Sequence, residues 1–371
     1  MDPRITKLAY NLINYSCRLK KGEKVLIEAN GIPDEMICEL VKETYKVGAY
    51  PFVQLSNSKI KRELLNGASE EMLRSWANYD AYRMKDMDAY IGLRGGLNPF
   101  ELSDVDAKNM ALFDKLYGTP VHSDIRVAKT KWVVLRWPTE SMAQQARMST
   151  SAFEDFYFNV CNLDYSKMDK AMDNLEKLMK ETDKVHIVGP GDTDLTFSIK
   201  NIGAIKCSGQ CNIPDGEVYS APVKNSVNGV IHYNTPTIEN GMEFKDIRLV
   251  FKDGKIIEAT GSNTEELNKI FDTDEGARYV GEFAFGVNPY VKEPTGDILF
   301  DEKINGSIHF TPGCCYEDCD NGNKSAIHWD LVLIQRPEYG GGKIYMDDRL
   351  IRDNGRFVIP ELECLNPENL I

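Results

Sequence analysis

No apolar run in this sequence approaches the ~20 residues that span a bilayer. The opening stretch, MDPRITKLAYNLINYSCRLKKGEK, mixes charge with helical periodicity and lacks the apolar core of a secretory leader. These absences predict a cytoplasmic chain with no membrane partner. Positive charge is in deficit: 44 Lys and Arg face 57 Asp and Glu, a formal net charge of −13. Such a chain is ill suited to gripping phosphate backbones by counterion release, so no nucleic-acid partner is expected. Metal ions and ammonium groups suit an acidic surface better. The nine cysteines are odd in number and scattered, which argues against a disulfide framework. Internal repeats, low-complexity tracts and long blocks of one charge are also missing.

What is present suffices for a packed core, with 42% apolar residues over 371 positions, and the length fits two domains. The first half alternates helical and strand patterns. Helices are expected at 5–19 and 33–47, the latter with Met36, Leu40, Val41 and Tyr45 at helical spacing before Gly48. Strands are expected at 24–28, 50–54, 89–93 and 132–135. This alternation predicts an N-terminal α/β domain, 1–180, with a mostly parallel sheet, closed by helices at 151–161 and 167–180. The second part, 181–371, reads as a β-rich α+β metal-binding, catalytic domain. It has a strand at 185–188, a hairpin around Asp253-Gly254, and another whose strands, 343–352 and 356–359, flank Asn354-Gly355. One clear helix is expected near 264–271, with Ser262 and Glu265 spaced as a capping box.

Five histidines are spread along the chain. His328 and Asp330, in Ile327-His328-Trp329-Asp330, share a face if the segment is extended, because side chains alternate with period two. Such a pair can ligate one metal, or form a structural ion pair. His309 lies in the strand-like Gly306-Ser307-Ile308-His309-Phe310. Glu282 sits among Tyr279, Val280, Phe283 and Phe285, where a carboxylate needs a cation or donors unless it faces solvent. Glu217 follows Pro214-Asp215-Gly216. Two Glu, two His and one Asp would fit two divalent ions sharing a carboxylate, and the mixed N/O donors suit Zn, Co or Mn. The spacing Cys207/Cys211 and Cys315/Cys319 is permitted for a structural zinc, with nothing else in support. Gly189-Pro190-Gly191-Asp192 lacks the third glycine of a phosphate loop, and Asp192 and Asp194 would repel phosphate. His122, His186 and His232 have no partner in sequence and read as structural.

Several of these segments, in order, resemble the M29 family of metalloaminopeptidases, the aminopeptidase T-like group. Lys21-Gly22-Glu23-Lys24-Val25-Leu26-Ile27 is similar to the family's opening strand, and Asp192-Thr193-Asp194-Leu195-Thr196 to its GTDLT segment. Pro214-Asp215-Gly216-Glu217-Val218, Gly281-Glu282, Ile308-His309 and Ile327-His328-Trp329-Asp330 resemble the ligand segments, and Tyr316 stands where the family has its active-site tyrosine. The stretch from Tyr316 to His328 is shorter than in longer members, and Cys314-Cys315-Tyr316-Glu317-Asp318-Cys319 departs from them. The resemblance implies two divalent ions on Glu217, Glu282, His309, His328 and Asp330, activating a water against a peptide with a free N-terminus. Tyr316 would donate to the oxyanion, and Glu217 or Glu282 would take the water's proton. A homodimer is implied by the same resemblance. The alternatives are a hydrolase of another amide and a non-catalytic metal or partner binder on the same scaffold.

Overall fold

A computed structural model describes residues 2–98, 100–239 and 241–371. The chain packs as two units, Met1–Asn162 with Gly209–Ile213, and Leu163–Ser208 with Pro214–Ile371. The boundary expected near 180 follows the helix Tyr165–Glu181, whereas that helix packs within the second unit, on the strands Ile205–Cys207 and Glu217–Ser220. Lys206 holds it there through Asp169 and Asp173.

The first unit is built on a parallel sheet ordered Tyr50–Ser56, Lys24–Asn30, Ala89–Arg94, Lys131–Arg136 and Asn212–Ile213. Its inner strands read as near-continuous apolar runs because helices cover both faces of such a sheet. Leu26 and Tyr90 are buried with Leu73, Phe113 and Tyr117 in one cluster. The helices expected at 5–19 and 33–47 are Pro3–Asn11, continued by a wider turn over Leu12–Ser16, and Asp34–Lys46.

Besides a two-stranded sheet, Thr237–Glu239 with Met242–Phe244, the second unit carries two large antiparallel sheets. One has eight strands, from Lys255–Thr260 through Lys184–Val188 to Arg356–Phe357. The other has five, ordered Val332–Ile334, Ser307–Pro312, Val280–Gly286, Glu217–Ser220 and Ile205–Cys207. Alternation sorts the five-stranded sheet into two unlike faces. Val218, Phe283, Phe285, Ile308 and Phe310 point one way and are buried. Phe283 and Phe310 each meet Phe197 of the eight-stranded sheet at a ring distance of 5.0 Å, so the sheets face each other across aromatics. Glu217, Glu282, Ala284, Gly286, His309 and Thr311 occupy the opposite face, paired Gly286 with Glu217, Ala284 with His309, and Glu282 with Thr311.

Two local expectations are corrected. The helix Thr264–Phe271 forms, but Asn263 caps it by accepting from the Glu266 N–H, while Ser262 Oγ accepts from Lys245 N–H instead. The stretch 343–352 is itself a hairpin of Lys343–Met346 and Arg349–Asp353, turning at Asp347 and Asp348, both at positive φ. The sequence reading missed this turn because Asp-Asp lacks the usual glycine. The hairpin around Asp253-Gly254 is present.

Candidate metal centre

The polar face of the five-stranded sheet gathers the acidic and imidazole groups singled out in the sequence. Glu217, Glu282 and His309 come from three adjacent strands, and His328 and Asp330 from the extended segment leading into Val332–Ile334. Regular pairing starts only at Val332; before it, His328 bridges Gly313. Trp329, between the pair, turns away and packs on Phe244 and Phe271, which leaves His328 and Asp330 together as alternation requires.

Glycine makes room for the site at two points. Gly281 is the extra residue of a bulge between Val280 and Glu282. A Cβ there would lie 2.3 Å from Cys314 O, so only glycine lets the Gly313–Cys314 turn pass. Cys314 O in turn accepts from His328 Nδ1 at 2.7 Å, which fixes the ring and leaves Nε2 for the site. At Gly286 a Cβ would lie 2.4 Å from Ile304 O and 2.9 Å from Glu302 O. The segment carrying Glu302 and Lys303 therefore crosses the sheet directly over Glu217's neighbour.

The donor atoms fall into two overlapping groups, Glu217–Glu282–His309 and Glu282–His328–Asp330, each with its atoms within 4.8 Å of one another. Glu282 belongs to both. His309 Nε2 lies 3.2 Å from Glu282 Oε1 and 3.3 Å from Glu217 Oε2. His328 Nε2 lies 3.1 Å from Glu282 Oε2 and 3.4 Å from Asp330 Oδ1. Despite these approaches, the buried Glu217 Oε2 and His328 Nε2 have no hydrogen-bond partner among the described residues. Buried polar atoms are rarely left so. His309 Nε2 and Glu282 Oε1 pair at 3.2 Å, whereas Glu217 Oε2 and His328 Nε2 converge on the same groups without a hydrogen bond, which fits a cation held between them, and hard oxygen with imidazole nitrogen fits a divalent one. Thr311 Oγ1 donates to Asp330 Oδ1 at 2.7 Å and orients that carboxylate.

Electrostatics lead the same way. Burial alone would lower His309, but its contact with Glu282 and the Glu217 charge outweigh burial and push it up to about 9. Burial would also lower His328, yet contact with Asp330 and Glu282 raises it to about 12. Burial works against ionised Glu282, and the two imidazoles overcome it and hold its pKa low. Without metal, protonated histidines thus supply the positive charge the carboxylates demand.

Tyr316 is half-exposed, its ring 4.7 Å from that of His328 and 5.4 Å from that of Tyr219. Desolvation, then Glu282 and Asp330, raise its hydroxyl far above the usual range, so it remains a donor. The other histidines lie elsewhere: His186 pairs with Asp194 at 2.8 Å, and His232 stands 3.9 Å from Asp192. No group of three metal donors among the described residues contains two cysteines; Cys315 Sγ contacts Asp320 and Cys319 lies under Tyr219. Sequence reasoning missed Lys303, 2.7 Å from Glu217 Oε1, and the Thr311 and Cys314 contacts. No signal in the sequence points to the first, since Asp301-Glu302-Lys303 reads as an exposed charged stretch.

The chain is similar to aminopeptidase AmpS of Bacillus subtilis, 24% identical across 89% of this chain and 88% of the relative. It is 33% identical to aminopeptidase T of Thermus aquaticus over 40% of this chain and 42% of that protein. The solved structure of wild-type AmpT from Thermus thermophilus superposes with a TM-score of 0.78 at 21% identity, covering 96% of this chain and 99% of that one, and so shares the fold. Residues 1–356 match the M29 thermophilic metalloproteases. With the fold, the convergent carboxylates and imidazoles, and a match over nearly its whole length in agreement, the chain belongs to the M29 metalloprotease family and is a hydrolase.

Proposed function

We propose that this protein is a metal-dependent aminopeptidase that holds two divalent ions, Zn, Co or Mn, on Glu217, Glu282, His309, His328 and Asp330. The observation that carries the reading is the pair of donor groups sharing Glu282, with Glu217 Oε2 and His328 Nε2 buried and unbonded. Bound divalent cations would supply Lewis acidity to the scissile carbonyl and lower the pKa of an attacking water. The chain's own groups do the rest. His328 keeps its proton on Nδ1, donated to Cys314 O, and presents Nε2. Thr311 fixes Asp330. Glu217 or Glu282 takes the water's proton and passes it to the leaving amine. Tyr316 donates a hydrogen bond from its hydroxyl to the tetrahedral oxyanion, a contribution worth ~10²–10³ in rate for a preorganised donor. The substrate is a peptide with a free N-terminus, whose amine suits the acidic face. A homodimer and a cytoplasmic location belong to the same proposal; sedimentation of the purified chain tests the first.

The decisive experiment measures metal content and aminopeptidase activity after chelation and add-back of Zn, Co and Mn. Aminoacyl-arylamides with free and blocked amines serve as substrates. The expected outcome is activity that vanishes with chelation, returns with metal and requires the free amine. Equal turnover of the blocked compound would make the enzyme a hydrolase of another amide. Full metal uptake without turnover would leave a binding protein.

A further inference from the structure

Lys303 plays no part in the arrangement so far, yet it is one of the most deeply buried charged side chains in the second unit, at 2% exposure. Its ammonium lies 2.6 Å from Glu302 Oε1, 2.7 Å from Glu217 Oε1 and 3.7 Å from Asp215 Oδ1. An ammonium removed from water persists only where carboxylates compensate it, and three do so here. Its position is set by the backbone: Asn288 N–H donates to Lys303 O at 3.0 Å, and the bare Gly286 lets the segment lie across the sheet.

The consequence for Glu217 is an asymmetry between its oxygens. Oε1 is engaged by Lys303, while Oε2 is buried, unbonded and turned toward His309. A second consequence concerns a third donor group. Cys207, Asp215 and Glu217 also bring their donor atoms within 4.8 Å of one another, and taken alone would be a soft cation site. Lys303 already contributes the positive charge beside two of its three members.

We propose that Lys303 is a positioning residue of the metal centre: its ammonium reserves one Glu217 oxygen, so that Glu217 offers a single oxygen to a divalent cation, and it closes the Cys207–Asp215–Glu217 group to metal. This rests on Glu217 being a ligand, as proposed above. One anionic oxygen in place of two leaves the ion a stronger Lewis acid with a position open for substrate.

The test titrates chelated full-length protein with Co(II), following bound metal per chain and the absorption spectrum. Wild type, Lys303→Met and the charge-neutral pair Glu302→Gln/Lys303→Met are compared, the pair guarding against misfolding of the single variant. Wild type is expected to bind two Co(II) without a thiolate-to-cobalt charge-transfer band. Both variants are expected to bind a third ion and gain that band through Cys207, with kcat lowered ~10–100-fold and KM changed far less. Variants that match wild type in stoichiometry and spectrum overturn the inference and leave the two-ion centre standing. A thiolate band in wild type itself also overturns it, whatever the variants do. Wild type that binds no Co(II) overturns the centre and the inference together.

Discussion

The five-stranded sheet of the second unit does opposite things with alternate residues of the same strands. On one face Phe283, Phe285 and Phe310 interlock with Phe197 and Phe251. On the other, Glu282, Ala284, Gly286, His309 and Thr311 trade bulk for polar groups and space. Side-chain period two forces this pairing of roles, as at His309, which stands between the core residues Ile308 and Phe310. The aromatic face packs on the eight-stranded sheet while the other keeps Glu217 Oε2 and His328 Nε2 buried without a hydrogen-bond partner. Strain and unsatisfied polarity at functional sites are commonly supported in this way.

Substitutions can break or sharpen this division. The largest effect is expected from Glu282→Ala, which removes the member common to both donor groups: kcat/KM should fall by ~10³ or more, as for other groups acting at the reacting atoms, with metal content reduced at both positions. Its far-ultraviolet circular dichroism should remain that of wild type. A Glu282→Ala protein with full activity would dissolve the contrast between the faces. One residue along, Phe283→Ala should do the reverse. It should cost about 3–5 kcal/mol in denaturant unfolding, while the folded fraction keeps its metal per chain. Gly286→Ala sits at the join, since its Cβ would meet Ile304 O and Glu302 O. A loss of ~1–3 kcal/mol is expected, with activity falling as the Lys303 segment shifts. Thr311→Val, which keeps shape but leaves Asp330 without its donor, should weaken metal binding ~10-fold in a chelator competition assay.

The last effect is in pH. Without metal, His309 is raised from 6.5 to about 9, so the folded chain binds more protons than the unfolded one. The stability this contributes is fully present below pH 6.5 and is lost as pH rises through about 9. Denaturant titrations of chelated protein between those limits should show the decline, and His309→Gln should lessen it, leaving the part that His328, raised to about 12, contributes. Because the imidazoles must be neutral to ligate, metal uptake should also release protons, which calorimetry in two buffers of different ionisation enthalpy detects.

Much of this was legible before the fold was known. Glu282 in an apolar run and His328 two positions before Asp330 betray themselves by chemistry at odds with their surroundings or by strand spacing. The parallel sheet of the first unit follows from its apolar runs and intervening helices. Lys303 was not legible, because Glu302-Lys303 reads as an exposed charged pair until Gly286 is seen to admit the segment beneath it. The Asn263 cap was missed for a related reason. Asn and Ser are nearly equal caps, and the choice between adjacent ones depends on tertiary contacts, here Ser262 with Lys245. Glycines at 281 and 286 were visible only as letters; their purpose lies in the carbonyls that pass over them.

The order of assembly follows from where the converging carboxylates and imidazoles come from. Glu217, Glu282, His309 and Asp330 are brought together only when strands distant in sequence have found their partners and their register. Loop-closure entropy makes such long-range pairing slow, so the centre takes shape late in folding. Cations added to the unfolded chain would meet dispersed ligands and could not nucleate the sheet. On the reading proposed above, metal would enter a finished scaffold, and its uptake in a refolding experiment would time the last strand to dock.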